Sequence, residues 1–546
     1  MFFKSGSYLN TTKRVSTLLL VLSLSVLLSK PLFGQIFLPD DPIWDDPDQL
    51  NMPAPAEAMH SEYYDFYENT FLFPGKENDG PAQNVNSLGE VPNSAWYTNR
   101  HYLHPMSMAE LLRGPDQGSG PAMTGKWEII AGKTQGITPG FTIKDAKSDL
   151  YLIKFDPPSN PEMSTGAEMI STKLFYALGY STPENYLINL HLGQLVLSPE
   201  ATSSTPLGKT RPLTQEMVDE MLAMAHKDKS GHYRVLASKL LQGKPLGPFR
   251  YYGTRPDDAN DIFPHGSRRE LRGLRIFCAW LNHDDSRSIN TLDMLVTEDN
   301  RQFVRHYLID FGSTLGSGSV FAQDPRAGNE YILESKPAIR SFLSFGFWVR
   351  PWAKVHYPDY PAIGRLEGDF FDPQKWKPEY PNPAFLNCDA EDAFWAARQV
   401  MNFSDQEIRA IVSLAQYSNP EAENYMVETL IKRRDKIGKA YLRFSGGLDK
   451  FRIEAGKWLV FEDLLSKHNL AKLQKTRKIT WRVFDNATGE TGRTLTENES
   501  KDVKIPIPSF ESEFVVSTIE TPGVGIIQVF IRNSSQGLKI VGIKRK

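Results

Sequence analysis

Asp310 closes the apolar run Leu308-Ile309 and is followed by Phe311-Gly312. Asp285 stands 25 residues upstream, at the end of Trp280-Leu281-Asn282-His283-Asp284-Asp285, and Asn290 follows it by five residues. Carboxylate, carboxamide and carboxylate in that order make an oxygen-only donor set. Asn290 and Asp310 suit a hard divalent cation, which leaves Asp285 to orient a hydroxyl or take its proton. Those are the needs of phosphoryl transfer, where the protein positions a triphosphate, neutralises its charge and aims the acceptor. An isolated Asp-Phe-Gly occurs by chance. The ordered set carries the reading.

The remaining parts of such a site have candidates upstream. Lys154 lies on a strand-like stretch, Leu150 to Phe155, and could contact the α and β phosphates. Glu168 follows it by fourteen residues in a helical stretch and could pair with it. The loop carrying Gly132, Gly136 and Gly140 could bring backbone N–H groups to phosphates. Each has a plainer reading when taken alone. Lys154 is then a solvated strand lysine, Glu168 a surface helical glutamate, and the glycines, spaced four apart, an ordinary hairpin. His283 is then a core or capping histidine, and Asp284-Asp285 the end of a helix. Both aspartates are candidates for the base; the five-residue spacing to Asn290 favours Asp285.

The elements that must hold these residues follow from periodicity. Trp127 to Ile130, Phe141 to Lys144 and Leu150 to Phe155 alternate like strands. Asn160-Pro161 reads as a helix start, with apolar residues at Met169, Ile170, Leu174, Ala177 and Leu178 and Gly179 as the stop. Tyr186 to Leu190 and Gln194 to Leu197 read as a further hairpin. Thr214 to Ala225, Tyr233 to Leu241 and Arg268 to Leu281 are expected helices, the last delivering His283 to Asp285. Asn290 to Val296 and Phe303 to Ile309 read as the hairpin that carries Asp310. Residues 313–388 are rich in aromatics and proline with weak periodicity. Ala390 to Met401, Ser404 to Gln416 and Pro420 to Tyr441 are helical, the second opened by the capping box Ser404-x-x-Glu407.

Five regions result. Residues 1–35 read as an export signal: Lys4, Lys13 and Arg14 precede the apolar run Thr17 to Leu28. A helix of that length rises only about 18 Å, too short to span a bilayer. Residues 36–125, rich in Pro, Asp, Asn and aromatics, read as an irregular extension wrapped over the fold, anchored by Tyr63, Tyr64, Phe66 and Tyr67. Residues 126–200 form a small lobe and 201–450 a large lobe. Residues 451–546, with short alternating segments such as Ile479 to Phe484 and Phe514 to Thr518, read as an antiparallel β domain of sandwich type.

With these residues in place, the chain resembles the broad protein-kinase-like superfamily. Within it the HipA, CotH and secreted-kinase branches are more similar than ordinary protein kinases. The resemblance rests on Leu152-Ile153-Lys154, on Glu168 with the Leu178-Gly179-Tyr180 that ends its helix before Thr182-Pro183, on Asn282 to Asn290, and on Leu308 to Gly312. It covers about residues 127–445. It implies a two-lobed α+β fold, ATP, and Mg²⁺ or Mn²⁺, and it leaves the acceptor open among protein, glycan and small molecule. His-Arg-Asp is replaced here by Asn282-His283-Asp284-Asp285, and no Ala-Pro-Glu follows Asp310.

Composition narrows the partners. In 546 residues, 62 basic side chains face 65 acidic ones, for a net charge of −3. No basic excess attracts nucleic acid. Two cysteines, Cys278 and Cys388, are no disulfide framework. No second apolar stretch approaches a membrane span, so no stable span is expected after signal cleavage. The expectation is a secreted or periplasmic phosphotransferase. The rival is an inactive binding or structural protein on the same scaffold, favoured by the scarcity of ATP outside the cytoplasm. A carbohydrate- or surface-binding role for the β domain is a third reading.

Overall fold

The computed structural model describes residues 34–53, 55–75, 80–133, 138–204, 209–345, 347–470 and 476–546. The export signal, save its last two residues, and Gly136 lie outside the described residues. Among the described residues no helix is long and apolar enough to cross a membrane, and Cys278 and Cys388 are free thiols.

The first sheet has seven strands: β1 Trp127–Gly132, β2 Gly140–Lys144, β3 Leu150–Phe155, β4 Asn185–Leu190, β5 Leu195–Ser204, β6 Thr210–Pro212 and β7 Tyr233–Lys239. They lie in the order β4-β7-β3-β2-β1-β5-β6. Only four residues link β4 to β5. That link spans at most about 18 Å, whereas five strand spacings of a flat sheet span about 24 Å. The sheet therefore curls, and it encloses a core of Trp127, Phe141, Tyr151, Phe155 and Val235.

Two expectations fail here. Tyr233 to Leu241 is strand β7, not a helix, and it pairs with both β3 and β4. A central strand buried on both faces has no alternation to read, and its apolar run imitates a helical stripe. Nor do β4 and β5 form a hairpin: β4 pairs with β7, and β5 runs parallel to β1. The small lobe's sheet thus extends to Lys239, well past the boundary expected at residue 200.

The helices include α1 Glu62–Tyr67, α2 Met108–Arg113, α3 Met163–Ala177, α4 Gln215–Ala223, α5 Arg269–Leu281, α6 Ser335–Leu343, α7 Ala390–Val400, α8 Asp405–Ser413 and α9 Pro420–Tyr441. Helix α3 does not start at Asn160-Pro161. Its cap comes from Asp156, whose Oδ1 accepts from the amides of Ser164 and Thr165, both at 2.9 Å. Asp156 lies just past β3, so one carboxylate ties the lysine strand to the glutamate helix, and that outweighs the local Asn-Pro signal.

The helical lobe packs α5, α7 and α9 around one apolar core that includes Phe277, Trp280, Trp395 and Leu430. Helix α5 ends at Asn282, which takes the left-handed conformation (φ 50°) common for Asn at a helix end. A second sheet holds β8 Lys244–Gly247, β9 Thr291–Glu298 and β10 Arg301–Leu308. Asp299 and Asn300 join β9 to β10 with φ of 48° and 62°, the two-residue turn that fits strand twist.

The C-terminal region is antiparallel throughout. Strands β11 Leu448–Glu454, β12 Trp458–Asp463 and β15 Lys504–Pro506 form one sheet; β13 Arg477–Phe484, β14 Thr491–Ser500, β16 Phe514–Thr521, β17 Gly525–Ser534 and β18 Gly537–Arg545 form the other. Leu448 and Phe461 of the first share a core with Ile479, Trp481 and Val529 of the second. Strand β14 is nearly all polar and lies at the sheet edge, so it has no alternation to betray it.

Of the four aromatics expected to anchor the extension, Phe66 does so and the three tyrosines do not. Tyr63, Tyr64 and Tyr67 are 87%, 71% and 54% exposed. Helix α1 turns Asp65 and Phe66 inward instead, Phe66 lying edge-on to Tyr380 at 5.4 Å. Further anchors are Phe37, packed among Phe484, Phe514 and Phe530 of the β region, and Trp96, stacked 3.4 Å from His306.

Candidate active site

Strand β3 alternates, so Tyr151, Ile153 and Phe155 face the curled sheet's core and Lys154 faces the other way, toward α3. The Lys154 Nζ donates to Glu168 Oε1 at 2.8 Å and Oε2 at 2.9 Å, and to Asp310 Oδ1 at 2.9 Å. Burial works against the lysine's charge, but Asp310 and Glu168 outweigh it and hold its pKa above the ordinary value. Burial raises that of Glu168 against the pull of Lys154. Asp310 is the opposite case: the Lys154 ammonium lowers it to about 2, and its side chain is 40% exposed. It is the open anionic oxygen of the site.

Asp310 itself adopts a left-handed backbone (φ 60°), a conformation that costs a non-glycine residue energy and gathers at functional sites. The residues after it explain how it is held. Phe311 stacks on Phe175 of α3 with ring centres 4.9 Å apart. At Gly312 a Cβ would sit 2.9 Å from Ser164 Oγ and 3.4 Å from Glu168 Oε2, so a larger residue would have to displace the Ser164 hydroxyl to let this turn approach the glutamate helix. Ser171 and Thr314 hydroxyls meet at 2.6 Å across the same seam.

The 282–290 loop places its two aspartates differently. Asp285 Oδ2 accepts from Ser313 Oγ at 2.9 Å, and its other oxygen is ion-paired with Arg287. Its side chain is 22% exposed, and burial raises its pKa. Asp284 is buried, accepts from Gln323 Nε2 at 2.7 Å, and is pushed up to about 8 by burial and by Asp285. Asp285 is thus the carboxylate beside Ser313, while Asp284 turns into the large lobe. The Asn290 amide nitrogen donates to the Asp285 carbonyl at 2.6 Å, which leaves its oxygen end as the acceptor. His283 is buried edge-on to Phe175 and Phe311, and burial lowers it to about 4, so it is a neutral core residue.

Of the glycines, Gly132 and Gly140 stand at the base of the β1–β2 hairpin, where the Lys133 amide donates to the Gly140 carbonyl at 3.0 Å. Gly140 pairs with Lys154 across β2 and β3, and a Cβ there would strike the Ile153 carbonyl. Its glycine is therefore required by strand packing. The sequence alone does not single out Lys133. Its Nζ donates to Thr138 Oγ1 at 2.6 Å, and burial together with the charge of Lys154 lowers it to about 8. A lysine beside a glycine carries no sequence signal of its own; only its place at the foot of the loop reveals it.

The donors fit a hard cation. They are oxygen-only, one is a carboxylate kept ionised, and the protein offers few of them, as Mg²⁺ prefers when phosphates and water complete its shell. Among the described residues no cluster of three or more His, Cys, Asp or Glu forms a closed cage.

No protein-family model and no curated protein matches the chain. Among solved structures it is similar to the Helicobacter pylori proinflammatory kinase CtkA, at 12% identity over 56% of this chain and 91% of that one, with a TM-score of 0.28. It is also similar to the Golgi casein kinase with Mn/ADP bound, at 10% identity over 60% and 75%, with a TM-score of 0.31. A third is the Rio2 kinase from Chaetomium thermophilum, solved as an ADP/Mg²⁺-phosphoaspartate complex, at 11% identity over 53% and 71%, with a TM-score of 0.19. None of the three is named a HipA or CotH protein, so that branch of the resemblance gains no support. TM-scores this low lend no weight by themselves, and the site stands on its own distances.

Proposed function

We propose that the chain is a kinase-like phosphotransferase that uses ATP with Mg²⁺ or Mn²⁺ and transfers the γ-phosphoryl to a hydroxyl. The observation that carries this reading is the Lys154 ammonium held between Glu168 and Asp310, residues from three separate elements. A buried lysine shared by two carboxylates is costly to build and adds little to stability, which makes it a functional arrangement before a structural one. In this reading Lys154, oriented by Glu168, binds the α and β phosphates, and Lys133 adds a second cation at the loop. Asp310 and Asn290 would hold the metal ion, which when bound neutralises triphosphate charge. Asp285 orients the acceptor hydroxyl and takes its proton as the new O–P bond forms and the bond from γ-phosphorus to ADP breaks.

The export reading belongs with this proposal. Lys4, Lys13, Arg14 and the apolar run to Leu28 would direct the chain to a secreted or periplasmic place, where a protein, glycan or small molecule would be the acceptor. A test is ADP release from ATP with Mn²⁺ or Mg²⁺, for the native chain and for Lys154→Met. Turnover lost in the variant supports the proposal; turnover unchanged by it sinks it. One observation favours the inactive scaffold instead: both Asp285 oxygens are engaged, by Arg287 and Ser313. Nucleotide binding without turnover in the native chain would select that reading.

A further inference from the structure

Helix α6 and the segment after it expose a run of large apolar side chains. Every described side chain of α6 is at least partly exposed, with none buried. Ile339, Phe342 and Leu343, spaced three and four apart, share one helix face and are 56%, 80% and 70% exposed. Phe345, Phe347 and Val349 continue the patch at 92%, 90% and 50%. Folded chains seldom leave so many large apolar groups together in water unless something covers them.

The charge of the same stretch says what the cover is. Between Ser335 and Pro358 there are four cations, Lys336, Arg340, Arg350 and Lys354, and no carboxylate, on a chain whose net charge is −3. Arg350 is paired with Glu330 at 3.0 Å. Lys336, Arg340 and Lys354 are exposed, and no carboxylate among the described residues lies within ion-pair distance of them. Exposed phenylalanines next to unneutralised cations match a bilayer interface, where rings enter the acyl boundary and cations meet anionic headgroups.

We propose that residues 335–345 and 347–354 bind the surface of an anionic lipid bilayer peripherally. The longer stretch that carries the segment touches the candidate site at both ends: well upstream Gln323 holds Asp284, and well downstream Glu379 pairs with Arg287 at 3.1 Å. If the phosphotransferase reading holds, bilayer contact would therefore present the site to acceptors at the membrane. Lipid binding itself does not depend on that reading.

The test is co-sedimentation of the full chain with vesicles of phosphatidylcholine alone or with about 30% phosphatidylglycerol. The expected result is binding to the anionic vesicles only, weakened by salt. Phe345→Asp with Phe347→Asp, and separately Lys336→Glu with Arg340→Glu, should each reduce it by at least about tenfold. These side chains are exposed, so unchanged thermal unfolding will show that the variants remain folded. No sedimentation of the native chain, or sedimentation that both variants retain, would overturn the proposal. So would a concentration-dependent dimer that the phenylalanine variant abolishes, because the patch would then belong to a second copy.

Discussion

The two aspartates of the 282–290 loop stand in different surroundings. Asp285 lies by Ser313 and is partly open, whereas Asp284 is buried and holds its proton up to about pH 8. Asp285→Asn should cut phosphoryl transfer by at least about 100-fold while sparing nucleotide affinity. Asp284→Asn, which resembles the protonated acid, should keep transfer within about threefold. The pH dependence has a definite sign. A carboxyl whose folded value of about 8 exceeds its ordinary 3.8 holds a proton that the unfolded chain has released. It lowers stability as pH rises from about 4 to about 8. Asp284→Asn should flatten that decline in thermal unfolding; an unchanged slope would contradict the burial argument. Lys133, lowered to about 8, should lose its charge as pH rises through that value. ATP affinity should then weaken above about pH 8 in the native chain, and more steeply than in Lys133→Met. The spacing of Asp285, Asn290 and Asp310 could be read from the sequence because each is a fixed step from the next. Lys133 could not, because its place beside Lys154, 21 positions away, is set by the fold.

Among the elements, α3 decides whether Glu168 reaches Lys154, and the N-terminal extension holds α3 from outside. Arg100 donates to the carbonyls of Tyr176 at 2.8 Å and Tyr180 at 3.0 Å. Lys173 of α3 is buried against Asp116, which follows α2, at 2.5 Å. Asp116→Ala leaves that ammonium buried without its carboxylate and should cost about 3 kcal/mol, read by denaturant titration. It should also weaken ATP binding, because α3 loses the support that positions Glu168. A loss below about 1 kcal/mol with affinity unchanged would show that the extension does not hold the helix. The strand and helix carrying Lys154 and Glu168 were legible from alternation and from an apolar stripe. The cap of α3 was not, because Asp156 acts from seven residues before Met163 and displaces the local Asn-Pro signal. Strand β7 was illegible for the opposite reason: burial on both faces erases the period of two.

At the scale of the whole molecule, the C-terminal β region is locked to the large lobe by buried charge. Arg398 of α7 pairs with Glu90 of the extension and, at 2.6 Å, with Asp449 of β11. Arg545 of β18 reaches Asp449 at 2.6 Å, and the Tyr102 hydroxyl does so at the same distance. A cluster that joins three regions is incompatible with an independently tethered module. Unfolding of the full chain should therefore be a single transition, and Arg398→Met, which leaves the buried Glu90 without its cation and Asp449 with Arg545 alone, should cost roughly 3–5 kcal/mol and keep it single. Two resolved calorimetric transitions, with the variant shifting only one, would contradict this. The β region's existence was plain from alternating segments after residue 450, but its attachment was not: no spacing in the sequence relates Glu90, Arg398 and Asp449.

Lys154, Glu168, Asn290 and Asp310 together are proposed to form a site for a metal-bound triphosphate. The most direct measurement is calorimetric titration of the full chain with ATP in the presence of Mg²⁺ or Mn²⁺, beside Asp310→Ala. Metal-dependent binding by the native chain is expected, abolished when the open carboxylate is removed. A native chain that binds ATP with neither metal, or an Asp310→Ala chain that binds it equally well, would contradict it.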